Sequence, residues 1–254
     1  MGVSRKKPLS LRPQPATAVP RTAMVLAAGL GKRMRPLTAT RPKPLVEVAG
    51  KALLDHALDR LRAAGVEHAV INVHYLADNL EAHLQKTHQT LEISISDERA
   101  LLLETGGGLV HALPLIDCDP FLVVNSDNLW IDGPVDSLRL LGQHWDDAAM
   151  DALQLLVPLA RANNHKGRGD FHMDRYGRVR RVRPGRVAPF VYTGIQIVSK
   201  RLLEGAPSGA FSVNILWDRA IAAGRCFGAV HQGLWFDVGT PPAVAATAAM
   251  IAGA

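Results

Sequence analysis

The stretch AMVLAAGLGKRMRPLT, residues 23–38, runs from an apolar segment into two glycines and three basic side chains. The apolar part predicts a buried strand, and glycines at its end allow backbone amides to approach a phosphate. A helix start after the glycines would add partial positive charge. Met34 replaces the third glycine of a dinucleotide-binding loop, and Arg33 stands where a P-loop requires Ser or Thr. The stretch therefore predicts a phosphate-binding loop of a third kind, with a tight turn bearing exposed basic residues as the alternative.

Lys43 extends this basic group. It lies between Pro42 and Pro44, and a residue that precedes a proline is restricted to extended backbone. Arg33 and Lys43 are therefore expected to converge on one polyphosphate.

Apolar strands alternate with amphipathic helices from this stretch as far as about residue 150. Strands are predicted at residues 23–29, 68–75, 91–97 and 120–127, and helices at residues 53–65, 76–87 and 106–116. This order predicts the α/β class, with a Rossmann-like, mostly parallel but mixed sheet that is flanked by helices.

The second half of the chain does not continue this alternation of strands and helices. Residues 152–160, 191–199 and 235–240 are predicted strands, and residues 174–186 alternate between turn signals as a hairpin does. We expect a small β-rich lobe over the sheet. The arginines of the hairpin are interpreted as a solvated face and not as a nucleic-acid surface, because no aromatic platform accompanies them.

The first 21 residues carry five basic residues, four prolines and no Asp or Glu, and they supply five of the six net positive charges. This composition predicts a disordered, basic, proline-containing tail over residues 1–21 and a single domain over residues 22–254. A targeting or anion-binding role of the tail is the alternative. The body is close to neutral, so nucleic acid is not an expected partner.

The cellular setting is indicated by what the sequence lacks. No apolar run approaches the roughly 18 residues of a membrane span, and no secretory signal is evident. Cys118 and Cys226 are too few for a disulfide or metal framework. We expect a cytoplasmic chain without membrane contact, and no obligate protein partner is indicated.

Two apolar strands end in carboxylates. FLVVNSD brings Asn125 and Asp127 to the carboxyl end of a central strand, where open α/β sheets place their ligands. LWFDVGT ends another strand with Asp237. Beside a phosphate site, two such carboxylates suit Mg²⁺. The alternative for each is a turn-capping role.

A run of three glycines follows Thr105 in the segment LETGGG. Glycines in front of a helix allow the backbone to lie flat against a planar ring or a phosphate. A flexible loop is the alternative.

Together these motifs resemble those of the sugar-1-phosphate nucleotidylyltransferases, whose pattern LAAGxGxRxxPLT followed by PKPL is matched by residues 26–45. Within that family, LETGGG, HKGRGDF and FDVGT are similar to the N-acetylmuramate 1-phosphate uridylyltransferases. The resemblance implies an Mg²⁺-dependent enzyme of cell-wall sugar recycling. It would transfer a uridylyl group from UTP to N-acetylmuramic acid 1-phosphate and release pyrophosphate, with the sugar bound by the β-rich lobe.

The resemblance also implies the site residues. Catalytic roles fall to Arg33 and Lys43. The nucleotide would be bound by Ala27, Ala28, Gly29, Gly31, Lys32, Arg33, Lys43, Thr105, Gly106 and Gly107. The sugar phosphate would be bound by Asn125, Gly169, Asp170 and Thr193, and the metal by Asp127 and Asp237. Ser126 departs from the Asn-Gly-Asp that is usual in the family.

Two alternatives remain from the sequence. One is a guanylyl- or thymidylyltransferase that acts on a hexose 1-phosphate such as mannose or glucose 1-phosphate. The other is an inactive regulator that binds nucleotide sugars. Such a regulator would be expected to lose Lys43 or one of the metal aspartates, and this chain has all three.

Overall fold

The predicted alternation of strands and helices is present in the computed structural model, which describes residues 19–87 and 90–253. The predicted tail lies outside these residues except for positions 19–21. The strands are β1 Thr22–Leu26, β2 Glu47–Val48, β3 Lys51–Ala52, β4 His68–Val73, β5 Glu92–Asp97, β6 Phe121–Asn125, β7 Asn128–Ile131, β8 Ala152–Pro158, β9 Ala162–Asn163, β10 Phe171–Met173, β11 Val179–Arg181, β12 Phe190–Val198, β13 Cys226–Val230 and β14 Leu234–Asp237. The helices are α1 Leu53–Ala64, α2 Ala77–Thr87, α3 Glu104–Ala112, α4 Ser137–His144, α5 Asn214–Ala222 and α6 Pro241–Ala252.

The main sheet has the order β11-β10-β12-β6-β1-β4-β5, with β8 between β12 and β13. The half that contains β6, β1, β4 and β5 is parallel. Strand β1 is apolar without alternation because helices cover both faces, and Ala23, Met24 and Val25 are fully buried.

The other half of the sheet is largely antiparallel. Strand β12 pairs antiparallel with both β6 and β8, so the predicted mixed sheet is confirmed. The predicted hairpin forms between β10 and β11, and Phe171 pairs with Phe190 of β12. The hairpin therefore continues the main sheet and does not lie on it as a separate layer. A smaller sheet has the order β7-β14-β9.

The apolar core lies on both faces of the main sheet. Helices α1, α2 and α4 pack on one face, whereas α3 and α5 pack on the other. A smaller cluster around Met34 and Phe236 joins the loop after β1 to the small sheet. The carboxyl ends of β1 and β6 are thus bordered by three apolar clusters, one on each face of the main sheet and the smaller one around Met34 and Phe236. None of the helices in the described ranges has the length and apolar character needed to span a bilayer.

Helix α3 differs from its prediction, because it begins at Glu104 and includes the glycine run. A methyl group on Gly106 would overlap the ring of Phe211, and one on Gly107 would overlap the carbonyl oxygen of Gly209. The amides of both glycines donate to the carbonyl oxygen of Phe211, at 2.8 and 3.2 Å. These glycines therefore allow residues 209–211 to pack closely against the helix, and they form neither a flat ligand platform nor a flexible loop.

The Gly107→Ala variant is expected to lose about 1–3 kcal/mol of unfolding free energy, the usual cost of overpacking, because the backbone of Gly209 cannot move aside as a side chain could. Denaturant unfolding measures the loss. Gly253→Ala is the control, since a methyl group there meets its nearest atom at an ordinary 3.6 Å. A Gly107→Ala variant as stable as the control would contradict this packing role.

Candidate active site

A cavity of about 370 Å³ opens at the carboxyl ends of β1 and β6. Ligand sites of open α/β sheets lie at this edge. The loop after β1, the loop after β6 and the start of α3 form its walls. Its lining comprises Leu26, Ala27, Ala28, Gly29, Lys43, Pro44, Asn72, Glu98, Leu102, Glu104, Thr105, Asn125, Ser126, Asp127 and Ser212.

The glycine loop turns at Gly31, whose φ of 59° favours glycine. Its carbonyl oxygen accepts a hydrogen bond from Thr38 Oγ1 at 2.8 Å. A methyl group on Gly31 would lie 3.1 Å from Cβ of Lys43, so the turn packs directly on that lysine. The helix predicted after the glycines is only a 3-10 turn, Lys32–Met34. The positive charge of the loop therefore comes from side chains and not from a helix dipole.

Arg33 is exposed and has no ion pair within the described part of the chain. It lies beside Gly239, because a methyl group on Gly239 would be 3.2 Å from Nη2 of Arg33 and 2.9 Å from Oδ1 of Asp237. Because Gly239 has no side chain, the guanidinium of Arg33 and the carboxylate of Asp237 can both lie beside it. Lys32 is also exposed, and neither Lys32 nor Arg33 lines the cavity.

Lys43 and Asp127 form an ion pair at the cavity. The Lys43 side chain is 11% exposed, and its Nζ donates to Asp127 Oδ2 at 2.7 Å. Oδ1 of Asp127 is buried and accepts no hydrogen bond from any described residue. One carboxylate oxygen is therefore held by the lysine, and the other keeps its lone pairs for a further cation.

The pairing of β14 with β7 brings Asp237 close to the Lys43–Asp127 pair. Asp237 pairs with Asn128 in the antiparallel ladder of β14 and β7, and Asn128 directly follows Asp127. Oδ2 of Asp237 lies 3.6 Å from Nδ1 of His165. Strand pairing thus brings the backbones of Asp127 and Asp237, the two residues that the sequence predicted as metal ligands, close together.

These carboxylates suit a cation that keeps other ligands. In the described ranges, no group of three or more Asp, Glu, His or Cys side chains is arranged so that it could hold a metal ion by itself. Mg²⁺ is commonly held by one or two carboxylates, with water and substrate phosphates completing the shell. The unpaired Oδ1 of Asp127 beside Asp237 fits such an ion.

Sequence reasoning missed a buried polar pair, Asn72 and Glu98. Oδ1 of Asn72 accepts hydrogen bonds from the amides of Ala27 and Ala28 at 2.6 and 3.3 Å. Its Nδ2 donates to Glu98 Oε1 at 2.7 Å, and Glu98 Oε2 accepts from the amide of Leu103 at 3.1 Å. This network fixes the loop after β1 against the segment before α3. The available signals were a lone polar residue in an apolar strand and an acidic residue just after the next strand.

The remaining predicted nucleotide residues divide into two groups. Gly29 and Thr105 line the cavity. Oγ1 of Thr105 also accepts from the amide of Val213 at 3.0 Å, which fixes the start of α3. Gly106 and Gly107 do not line the cavity, and their amides are already occupied by Phe211.

Of the residues predicted to bind the sugar phosphate, only Asn125 lines the cavity. Thr193 is fully buried, and its Oγ1 donates to the carbonyl oxygen of Leu155 at 2.8 Å. Asp170 Oδ2 accepts from the amide of Tyr192 at 2.9 Å. Gly169, with a φ of 79°, starts the hairpin. These last three residues shape the backbone near β12, and the hydroxyl of Thr193 does not reach a ligand site.

Ser126 has a structural use at the position where the family usually has glycine. Its Oγ donates to the carbonyl oxygen of Leu26 at 2.8 Å, and its amide donates to the same oxygen at 3.1 Å. The residue therefore ties the end of β6 to the end of β1.

Comparison with known proteins gives concordant results. Residues 22–252 match a family model described as nucleotidyl transferase. The N-acetylmuramate alpha-1-phosphate uridylyltransferase of Caulobacter vibrioides is 47% identical over 236 residues, which cover 92% of this chain and 98% of that protein. The protein of the same name from Neisseria meningitidis serogroup B is 37% identical over 224 residues, covering 86% and 93%. The solved inositol-1-phosphate CTP transferase from T. maritima has the same fold, with a TM-score of 0.72 at 19% identity over 89% of this chain and 91% of that one.

Proposed function

Because the chain belongs to the nucleotidyl transferase family, we propose that it transfers the uridylyl group of UTP to N-acetylmuramic acid 1-phosphate and releases pyrophosphate. The identity to two such uridylyltransferases over nearly their full length supports the substrate pair. The observation that carries the proposal is the Lys43–Asp127 pair, which lines the cavity and has one carboxylate oxygen unoccupied. We also place the reaction in the cytoplasm, a reducing compartment that suits the two unpaired cysteines.

The reaction needs no general base. A phosphate oxygen of the sugar 1-phosphate is already anionic, and it attacks the α-phosphorus of UTP. A new P–O bond forms while the bond between the α-phosphorus and the bridging oxygen breaks, and that oxygen leaves with pyrophosphate. The obstacle is the repulsion of two anions and the charge that develops on the leaving group.

We assign to Arg33 and Lys43 the role of offsetting this repulsion and stabilising the charge on the leaving group. Both lie near the glycine turn, and their positive charges would align the triphosphate and stabilise the charge that develops on it. The Asn72–Glu98 network would hold the loop after β1 in place while the nucleotide binds.

Mg²⁺ is part of the proposal. Asp127 and Asp237 would hold it, with Asp127 contributing the oxygen that Lys43 leaves unpaired. When bound, the ion would neutralise phosphate charge and increase the reactivity of the α-phosphorus.

A substrate screen tests the proposed function. Four nucleoside triphosphates are combined with a panel of sugar 1-phosphates, with and without Mg²⁺, and pyrophosphate release is followed. We expect UTP with N-acetylmuramic acid 1-phosphate to exceed other pairs by about 10²-fold in kcat/KM, and chelation of Mg²⁺ to remove the activity. A preference for GTP with mannose 1-phosphate, or for dTTP with glucose 1-phosphate, would replace the substrate assignment. Nucleotide-sugar binding without turnover of any pair would identify an inactive regulator.

A further inference from the structure

His165 lies against Asp237, one of the two carboxylates to which the metal is assigned. Its Nδ1 is 3.6 Å from Oδ2 of Asp237, and the imidazole is only 17% exposed. Strand pairing produces this contact. Strand β9 pairs parallel with β14, with Asn163 opposite Phe236, so the next residue of each strand leads directly to His165 and to Asp237.

The backbone at His165 is fixed by the turn that follows β9. Asn164 adopts a φ of 62°, a left-handed conformation that Asn tolerates better than most residues. Its Nδ2 donates to Oγ1 of Thr247 on α6 at 2.9 Å. The amide of His165 donates to the carbonyl oxygen of Ala162 at 3.3 Å. The imidazole therefore projects from a turn that is anchored both to its own strand and to α6.

The imidazole ring lies between an aromatic ring and a glycine. The centroids of His165 and Trp235 are 6.3 Å apart, with the planes tilted at 57°. A methyl group on Gly167 would lie 2.3 Å from Nε2 of His165, so the absence of a side chain at Gly167 makes room for the ring. Nε2 is buried and has no hydrogen-bond partner among the described residues. Nδ1 is thus the nitrogen that has a polar neighbour.

This environment selects the tautomer of a neutral imidazole, which carries one N–H. A proton on Nε2 would bury a donor without an acceptor, and it would set the lone pair of Nδ1 against the Asp237 carboxylate. A proton on Nδ1 provides that carboxylate with a donor. The separation of 3.6 Å is about 0.5 Å longer than a hydrogen bond. A small rotation of either side chain is enough to close it.

The two carboxylates are supported in the same way. Oδ2 of Asp127 accepts from Lys43, and Oδ1 has no partner in the described ranges. For Asp237, His165 lies beside Oδ2, whereas Oδ1 is on the side of Gly239. In each pair a basic side chain lies at one carboxylate oxygen and leaves the other to a cation.

We propose that His165 is a positioning residue, whose Nδ1–H donates to Oδ2 of Asp237 and holds that carboxylate in the orientation that binds the divalent cation. The assignment rests on the proposed function, in that Asp237 is a metal ligand. His165 is not assigned as a ligand itself, because the described residues contain no group of three such side chains that could hold a metal. Hydrogen bonds to ligating carboxylates commonly contribute tenfold or more to metal affinity.

The matched variants His165→Leu and His165→Asn test the assignment. Leu and Asn have nearly the same shape and both remove the ring, but only Asn keeps an N–H donor near the position of Nδ1. Binding of Mn²⁺ to the substrate-free chain is followed by electron paramagnetic resonance, and the Mg²⁺ dependence of pyrophosphate release is measured in parallel. We expect His165→Leu to weaken both cation constants about tenfold and His165→Asn to recover most of that loss. The KM for the sugar 1-phosphate at saturating Mg²⁺ should stay unchanged.

His83→Leu is the control, because His83 also contacts a carboxylate, Asp55 at 2.8 Å, but does not line the cavity. Its cation constants should equal those of the wild type. Equal Mn²⁺ affinity in His165→Leu and the wild type would overturn the assignment. Equal weakening in the Leu and Asn variants would also overturn it, since loss of the ring and not of the donor would then be the cause.

The binding measurement separates this assignment from the proposed function, because it requires no substrate. A wild-type chain that binds Mn²⁺ with the expected order of variants, but turns over no sugar 1-phosphate, would overturn the proposed function and support the role of His165. A wild-type chain that binds no Mn²⁺ would overturn the site of two carboxylates and, with it, the role of His165.

Discussion

The Asp127→Asn and Asp237→Asn variants are each expected to lose turnover by about 10³-fold or more, without loss of the fold. Each change keeps the shape of the side chain and removes its negative charge. Asp127 loses the oxygen that is free to bind a cation, and Asp237 loses the charge that strand pairing brings to the same place. Pyrophosphate release measured across a titration of Mg²⁺ gives the result.

A third carboxylate provides the control. Asp218, like Asp127, accepts a hydrogen bond from a basic side chain, in its case Arg181 Nε at 2.7 Å, but it lies on α5 and does not line the cavity. Asp218→Asn should therefore retain its rate. If either active-site variant kept near-wild-type turnover at saturating Mg²⁺, the site of two carboxylates would be wrong.

The two aspartates should differ in stability. Asp127→Asn also removes the charge that pairs with the nearly buried ammonium of Lys43, whereas the contact of Asp237 with a basic side chain among the described residues is the 3.6 Å one with His165. An unpaired buried charge is strongly destabilising. Asp127→Asn is thus expected to have the lower Tm of the two, and a double variant Asp127→Asn/Lys43→Met should recover part of the loss.

The sequence predicts best the residues whose position in the fold depends on their neighbours along the chain. A run of apolar residues that ends in glycine or aspartate identifies both a strand and its carboxyl end, so the sequence was sufficient to place the loop after β1, Asp127 and Asp237 at strand ends. Their roles in binding stay predictions. Parallel strands then bring such ends to one edge of the sheet.

The residues that were missed or misjudged depend on partners far along the chain. Position 107 has to be glycine because the backbone of Gly209 packs against it. Asn72 acquires its role through hydrogen bonds with Glu98 and with the amide of Ala27. No local sequence pattern specifies either set of contacts. The direction of the Thr193 hydroxyl depends on an irregularity in the pairing of β12, which reverses the simple alternation of side chains. Local patterns therefore predict the sheet edge at which the candidate site lies, whereas long-range packing determines which side chains face it.

The second large effect is expected at Arg33. Replacing it with Ala should lower kcat by about 10²–10³-fold, the scale of removing one preorganised electrostatic donor. The structure leaves this guanidinium exposed and without an ion pair among the described residues, beside Gly239 and the Asp237 carboxylate. It is therefore available to a triphosphate, and its removal should not lower the Tm. Arg35→Ala, two positions along the same exposed loop, is the matched control.

Two further variants separate the possible roles of the charge. If Arg33 stabilises the transition state, kcat falls; if it only holds the bound substrate, the KM for UTP rises and kcat survives. A guanidinium can grip two phosphate oxygens at once and an ammonium cannot, so Arg33→Lys should fail to restore the rate. Lys43→Ala should lower kcat similarly, but it should also lower the Tm, because it leaves Asp127 without its partner. Full activity in Arg33→Lys would remove the bidentate geometry from the assignment, and full activity in Arg33→Ala would remove the residue from the mechanism altogether.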